Sequence, residues 1–119
     1  MKDYIQKCLR TKSEVPIISR LSDKNIDLLH GAMGISTEAN EILDVMKKHL
    51  FYGKEINELD LMYECSDCLW YIAIILNQLG YSFDEVMTKN IEKLKKRYPE
   101  KFTEECAINR NVENELSHF

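Results

Sequence analysis

The stretch from Asp23 to Gly80, DKNIDLLHGAMGISTEANEILDVMKKHLFYGKEINELDLMYECSDCLWYIAIILNQLG, decides the fold. From Ser22 or Asp23 to about His49, the residues Leu28, Leu29, Ile35, Ala39, Ile42, Met46 and Leu50 recur mostly every three or four positions, the spacing of one apolar helix face. Phe51-Tyr52-Gly53-Lys54 reads as a connection, with Gly53 free to adopt a positive φ. A second helix starts near Asn57, a good cap, carries Leu61, Cys65, Cys68, Leu69, Ile72, Ile75, Leu76 and Leu79, and stops at Gly80. Two long helices joined so closely form an antiparallel hairpin. Gly31 and Gly34 weaken the first helix by about 1 kcal/mol each relative to Ala, which points to a kink or to close approach of another helix.

Outside the hairpin, Ser82-Phe83-Asp84-Glu85 has the spacing of a capping box and opens a third helix, with Val86, Met87, Ile91 and Leu94 expected to face inward before Pro99. Residues 3–10 suit a short helix, interrupted between Ser13 and Pro16 because proline disfavours helical geometry at Val15. The segment after Phe102 is polar and aperiodic, which fits a loosely attached helix, a partner-binding extension or disorder alike. The expected architecture is all-α: three main helices and an N-terminal arm in one domain over residues 1–119, with a core at 25–102, an arm at 1–24 and an extension at 103–119. Three helices in a chain this short leave apolar faces for a second subunit to cover.

At 119 residues and 14.0 kDa, with 45% hydrophobic and 30% charged residues and only four Gly and two Pro, the composition excludes a wholly disordered or fibrous chain. The formal charge of -4 argues against binding a nucleic-acid polymer. No signal-like or membrane-length apolar run is present, so a soluble, cytoplasmic protein without a membrane partner is expected. Cys8, Cys65, Cys68 and Cys106 are too few and scattered for a disulfide framework.

Charge is unevenly spread: residues 38–67 hold eight carboxylates against three lysines, whereas Lys89, Lys93, Lys95, Lys96, Arg97 and Lys101 make a later segment basic. Glu38 and Glu41 stand three apart on the first helix, about 60° around the axis and roughly 4.5 Å along it, so both can face one ligand. Glu64 and Asp67 repeat that spacing on the second helix, with Tyr71 one turn beyond. Either pair alone is weak evidence, because acidic i,i+3 pairs abound on solvated helices. Both pairs, however, border an apolar stripe, where the hairpin can bring them together. Two carboxylates about 5 Å apart repel by roughly 3 kcal/mol at an effective dielectric near 20, a strain relieved by protonation or by a divalent cation. An all-oxygen ligand set favours Mg²⁺ or Mn²⁺ over Zn²⁺. On the third helix Asn90, Lys93 and Arg97 align along one face, with Tyr98 adjacent; they suit phosphate oxygens, and Lys54 in the connection could reach the same anion.

These residues resemble the MazG-like, all-α nucleoside triphosphate pyrophosphohydrolases, and within them a compact, phage-type branch. The paired motifs stand here as Glu38/Glu41 and Glu64/Asp67, with 22 residues between Glu41 and Glu64. His30-Gly31-Ala32-Met33-Gly34, Glu38-Ala39-Asn40-Glu41, Lys47-Lys48-His49, Tyr52-Gly53-Lys54, Leu69-Trp70-Tyr71 and the run from Asn90 through Phe102 carry the likeness, which covers roughly residues 25–102. Asn40 and Ser66 stand where this branch often has Gly; neither change removes a carboxylate.

The resemblance implies Mg²⁺-dependent hydrolysis of nucleoside triphosphates, dNTPs or noncanonical NTPs, between the α and β phosphates, giving a monophosphate and pyrophosphate. It further implies a homodimer or homotetramer. Glu38, Glu41, Glu64 and Asp67 would then be the catalytic and metal-holding residues, with Lys54, Asn90, Lys93, Arg97 and Tyr98 on the phosphates and His30, Trp70 and Tyr71 near the nucleoside. Two other readings of the residues remain: a noncatalytic helical module with an acidic groove for a metal or basic partner, and a redox or zinc role for Cys65-x-x-Cys68. The cysteine pair lacks both a second pair and a helix-start position. A di-iron site would need a Glu-x-x-His arrangement that neither motif contains.

Overall fold

The computed structural model describes residues 2–14 and 17–117. The fold is all-α: α1 (Lys2–Leu9), a 3-10 turn (Ile17–Arg20), α2 (Asp23–Tyr52), α3 (Glu58–Leu79), α4 (Phe83–Arg97), α5 (Glu104–Ile108) and α6 (Val112–Leu116). The expected break at Val15 and Pro16 lies outside the described residues.

Each long helix ends where its local chemistry dictates. The Ser22 hydroxyl accepts the Asn25 N–H at 3.1 Å, starting α2, and the Asn57 side-chain oxygen accepts from Leu59 and Asp60, starting α3. Ser82 and Glu85 form the full reciprocal capping box of α4. Gly53 (φ 68) and Gly80 (φ 76) take the left-handed conformation that ends α2 and α3. Phe51 and Tyr52 are the difference from expectation, since they form the last turn of α2 and the connection begins only at Gly53.

Helices α2 and α3 form an antiparallel hairpin, the main packing in the chain. Contacts pair rising numbers on α2 with falling ones on α3: the Gln78 amide donates to Asp27, Gly31 meets Ile75, and Gly34 meets Tyr71. The two buried glycines mark close approach. A Cβ at Gly31 would lie 2.6 Å from Ile75 Cγ1, and one at Gly34 would overlap the Tyr71 ring. Helix α4 packs instead with α6.

The apolar stripes are only partly covered. Leu76 is the one buried large hydrophobic side chain among the described residues, while Met87 and Ile91 of α4, expected to face inward, are 54% and 52% exposed. The chain exposes 10183 Å², against roughly 6,700 Å² for a compact monomer of this mass. Its radius of gyration is 20.0 Å, where about 13.5 Å is usual for this length. The segment after Phe102 forms α5 and α6, and α6 docks on α4 through the Arg97–Glu115 ion pair and the hydrogen bond from Lys96 to the Asn114 carbonyl.

Candidate active site

Packing Gly34 against Tyr71 fixes the register one turn further along, where Glu38 of α2 comes opposite Glu64 and Asp67 of α3. One carboxylate oxygen from each of these three lies within 4.8 Å of the others, with Glu38 and Glu64 half-buried and Asp67 exposed. Such a group, drawn from two helices and made only of carboxylates, is the donor set of a hard divalent cation. No histidine or cysteine belongs to a comparable group among the described residues. The Glu64 carboxyl is raised above its ordinary pKa by its burial, then by hydrogen bonding with Glu38 and by repulsion from Glu38, Glu41 and Asp67. A cation between them would reverse that effect.

Glu41 stands outside the three-oxygen group. Together with Glu64 it faces a groove of about 190 Å³ toward the closed end of the hairpin, where Asp44, Lys48, Lys54 and Asp60 also project. Asp44 pairs with Lys47 at 3.1 Å and with Lys48, and these two lysines hold its carboxyl below the usual range.

On the other side of the carboxylates, His30, Trp70 and Tyr71 meet edge to face, with ring centroids 5.6 Å apart for His30 and Tyr71 and 5.0 Å for Trp70 and Tyr71. Trp70 is 57% exposed, and Tyr71 is half-buried over Gly34. The sequence-predicted nucleoside residues therefore form one cluster.

The predicted phosphate residues are divided. Lys54 lines the groove, whereas Asn90, Lys93 and Arg97 belong to α4, which contributes nothing to the groove lining. The Arg97 Nε and Nη2 donate to Glu115 at 3.1 and 2.7 Å, and Arg110 grips the same carboxylate at 3.3 and 2.8 Å. Glu115 is buried, and the two guanidiniums pull its pKa down to about 2. Tyr98 caps α4, its ring 5.4 Å from that of Phe102. The four thiols are unpaired, and burial pushes that of Cys68 up, against a reactive thiolate.

Residues 31–102 match the MazG nucleotide pyrophosphohydrolase domain. The chain belongs to the MazG family. The MazG segment thus holds the glycine contacts, all four acids of the paired motifs, the groove and α4, while α5 and α6 lie beyond it. The chain is also 35% identical over 74 residues to the "Gene 37 protein" of Mycobacterium phage L5, across 59% of this chain and 65% of that protein's length. No solved structure matches.

Sequence reasoning missed Asp44, Lys48 and Asp60 as neighbours of the acids. The signal was present: Lys48 lies two turns after Glu41, and Asp60 one turn before Glu64. Glu115 and Arg110 had no such signal, because their meeting with Arg97 depends on how the chain turns back after α4.

Proposed function

We propose that this protein is a Mg²⁺-dependent nucleoside triphosphate pyrophosphohydrolase, cutting dNTPs or noncanonical NTPs between the α and β phosphates to release a nucleoside monophosphate and pyrophosphate. The observation that carries this reading is the convergence of Glu38, Glu64 and Asp67 from two helices, beside an exposed aromatic cluster. Membership of the MazG family supports it.

Glu38, Glu64 and Asp67 hold the ion, and Mn²⁺ fits the same oxygens. When bound, the ion neutralises phosphate charge and supplies Lewis acidity at the scissile anhydride. Glu41, beside this group, extends the ligand set or orients the attacking water, its carboxylate accepting the water's hydrogen bond. His30, Trp70 and Tyr71 receive the nucleoside, the exposed face of Trp70 offering a stacking surface. Lys54, with Asn90, Lys93, Arg97 and Tyr98 of the α4 face, takes the phosphate charge.

Self-association as a dimer or tetramer belongs to this proposal. The exposed area exceeds that of a compact monomer by roughly 3,500 Å², several times the surface one partner buries in a standard interface. A second copy covering the hairpin and the Met87–Ile91 face would bring α4 cations to the acids. The catalytic core is then 25–102, with 1–24 as an arm and 103–119 as an extension. Light scattering should give a dimer or larger; a monomer at working concentration would remove this part.

A panel of nucleoside triphosphates incubated with Mg²⁺ tests the reaction itself. Release of monophosphate and pyrophosphate is expected. Every triphosphate left intact would favour the noncatalytic module, and release of orthophosphate would place the cut at a different bond.

A further inference from the structure

Arg97 stands on the α4 face assigned to phosphate, yet within the chain it is already occupied. Its Nε and Nη2 both donate to the Glu115 carboxylate, and its side chain is only 18% exposed. A carboxylate held by two parallel N–H groups stands in for the edge of a phosphate, because one guanidinium fork recognises either anion. The neighbouring Lys96 ammonium is engaged by the same short helix, donating to the Asn114 carbonyl at 2.8 Å and to the Ser117 hydroxyl at 2.6 Å. Docked in this way, α6 covers two consecutive cations of α4.

The hold on α6 is largely polar. The helix has five residues, too few to be stable alone, and its apolar Val112 and Leu116 are each 47% exposed. Arg110, between α5 and α6, supplies a second guanidinium to Glu115. Beside these groups lies a cavity of about 100 Å³ lined by Lys96, Arg97, Arg110, Asn111 and Asn114, and Glu115 is the one carboxylate of that lining among the described residues. An anion entering there meets three cations and is repelled by one acid.

Resting on the pyrophosphohydrolase reading, we propose that residues 104–117 form an autoinhibitory latch, in which Glu115 occupies Arg97 in place of the substrate's phosphates. With the latch closed, the charge of Arg97 is neutralised and one edge of its fork is filled. A triphosphate competes for the same donors with several negative charges against one, so its arrival displaces Glu115 and frees α6. The competitor is carried outside the MazG segment, which ends at residue 102. Neither α5 nor α6 contributes to the acid group of the hairpin or to its groove, so the latch sets how readily nucleotide binds and leaves the cation site alone.

Hydrogen exchange of the full chain, read with and without a nonhydrolysable nucleoside triphosphate and Mg²⁺, tests the latch without requiring turnover. Exchange over residues 104–116 should quicken by about fivefold or more when the triphosphate binds, the reverse of the usual protection by a ligand. A nucleoside monophosphate, or sodium chloride at equal ionic strength, should leave it unchanged. Glu115→Gln should tighten triphosphate binding in calorimetry by about fivefold, and Lys96→Gln should act in the same direction with a smaller effect. In turnover both variants should show a lower KM with kcat unaltered. Circular dichroism of the variants verifies that the long helices persist.

Exchange over residues 104–116 that slows or stays constant on triphosphate binding would overturn the latch. So would variants that loosen α6 with no gain in triphosphate affinity. Weaker binding in Glu115→Gln would overturn it too, by making Glu115 a positioning partner of Arg97. Its failure is separable from that of the hydrolase reading. Hydrolysis in a chain whose α5–α6 exchange ignores triphosphate removes only the latch, whereas a latch opened by triphosphate in a chain that cleaves no nucleotide removes only the reaction.

Discussion

The hairpin and the α4–α6 unit handle buried carboxylates in opposite ways. Glu115 sits between Arg97 and Arg110 and its pKa falls to about 2, so its charge is neutralised within the chain. Glu64 is half-buried among Glu38, Glu41 and Asp67, and its pKa rises. The same residue type is held ionised at one end of the molecule and made reluctant to ionise at the other. An acid that meets its counter-charge at home serves structure; a group of acids that meets only other acids is prepared for a cation from outside.

The sharpest way to break this contrast is to remove acids from the hairpin. Glu41→Gln and Asp67→Asn should each lower nucleotide turnover on the order of a hundredfold or more while far-ultraviolet circular dichroism stays unchanged. Retained turnover in both would deny these acids their role. Next in size comes the contact that sets the register. Gly34→Val should destabilise the hairpin by about 1–3 kcal/mol in urea unfolding, because its side chain overlaps the Tyr71 ring. An unchanged midpoint would mean that the helices do not need this approach.

Acidity gives a finer test, because the two carboxylates titrate with opposite signs. Glu64, with a raised pKa in the fold, adds stability below its ordinary value of 4.5 that is lost as pH rises through the folded value. Metal-free protein at neutral pH should therefore gain several degrees of Tm on adding Mg²⁺, and the gain should shrink as the pH falls into the carboxylate range. Glu115, with a depressed pKa, adds stability above 4.5 that is lost as pH falls toward about 2. The smallest effect is expected from Glu115→Gln. It should speed hydrogen exchange over residues 104–116 and leave Mg²⁺ binding by the hairpin unaltered; equal loss of both would merge the two regions into one unit.

Local signals made most of the fold legible. Caps at Ser22, Asn57 and Ser82 and stops at Gly53 and Gly80 are read from side chains acting within a few residues, and the structure places the helices between them. Gly31 and Gly34 left a kink and a close approach equally open; the Tyr71 and Ile75 contacts decide for the approach. Periodicity identified apolar faces on α4 but could not say what covers them, and Met87 and Ile91 remain exposed in the single chain. The spacing of Glu38, Glu64 and Asp67 could be read, since two i,i+3 pairs on a hairpin nearly specify their meeting. The pairing of Arg97 with Glu115 could not be read, because Glu115 lies 18 residues on, across two turns with no periodic signature.

The central claim, that the hairpin acids form a divalent-cation site, is tested most directly by a crystal grown with Mn²⁺ and a nonhydrolysable triphosphate and measured for anomalous scattering. A manganese peak is expected within coordinating distance of Glu38, Glu64 and Asp67, with the nucleotide's phosphates against it. A well-ordered hairpin with those three carboxylates in water and the metal bound elsewhere would contradict it.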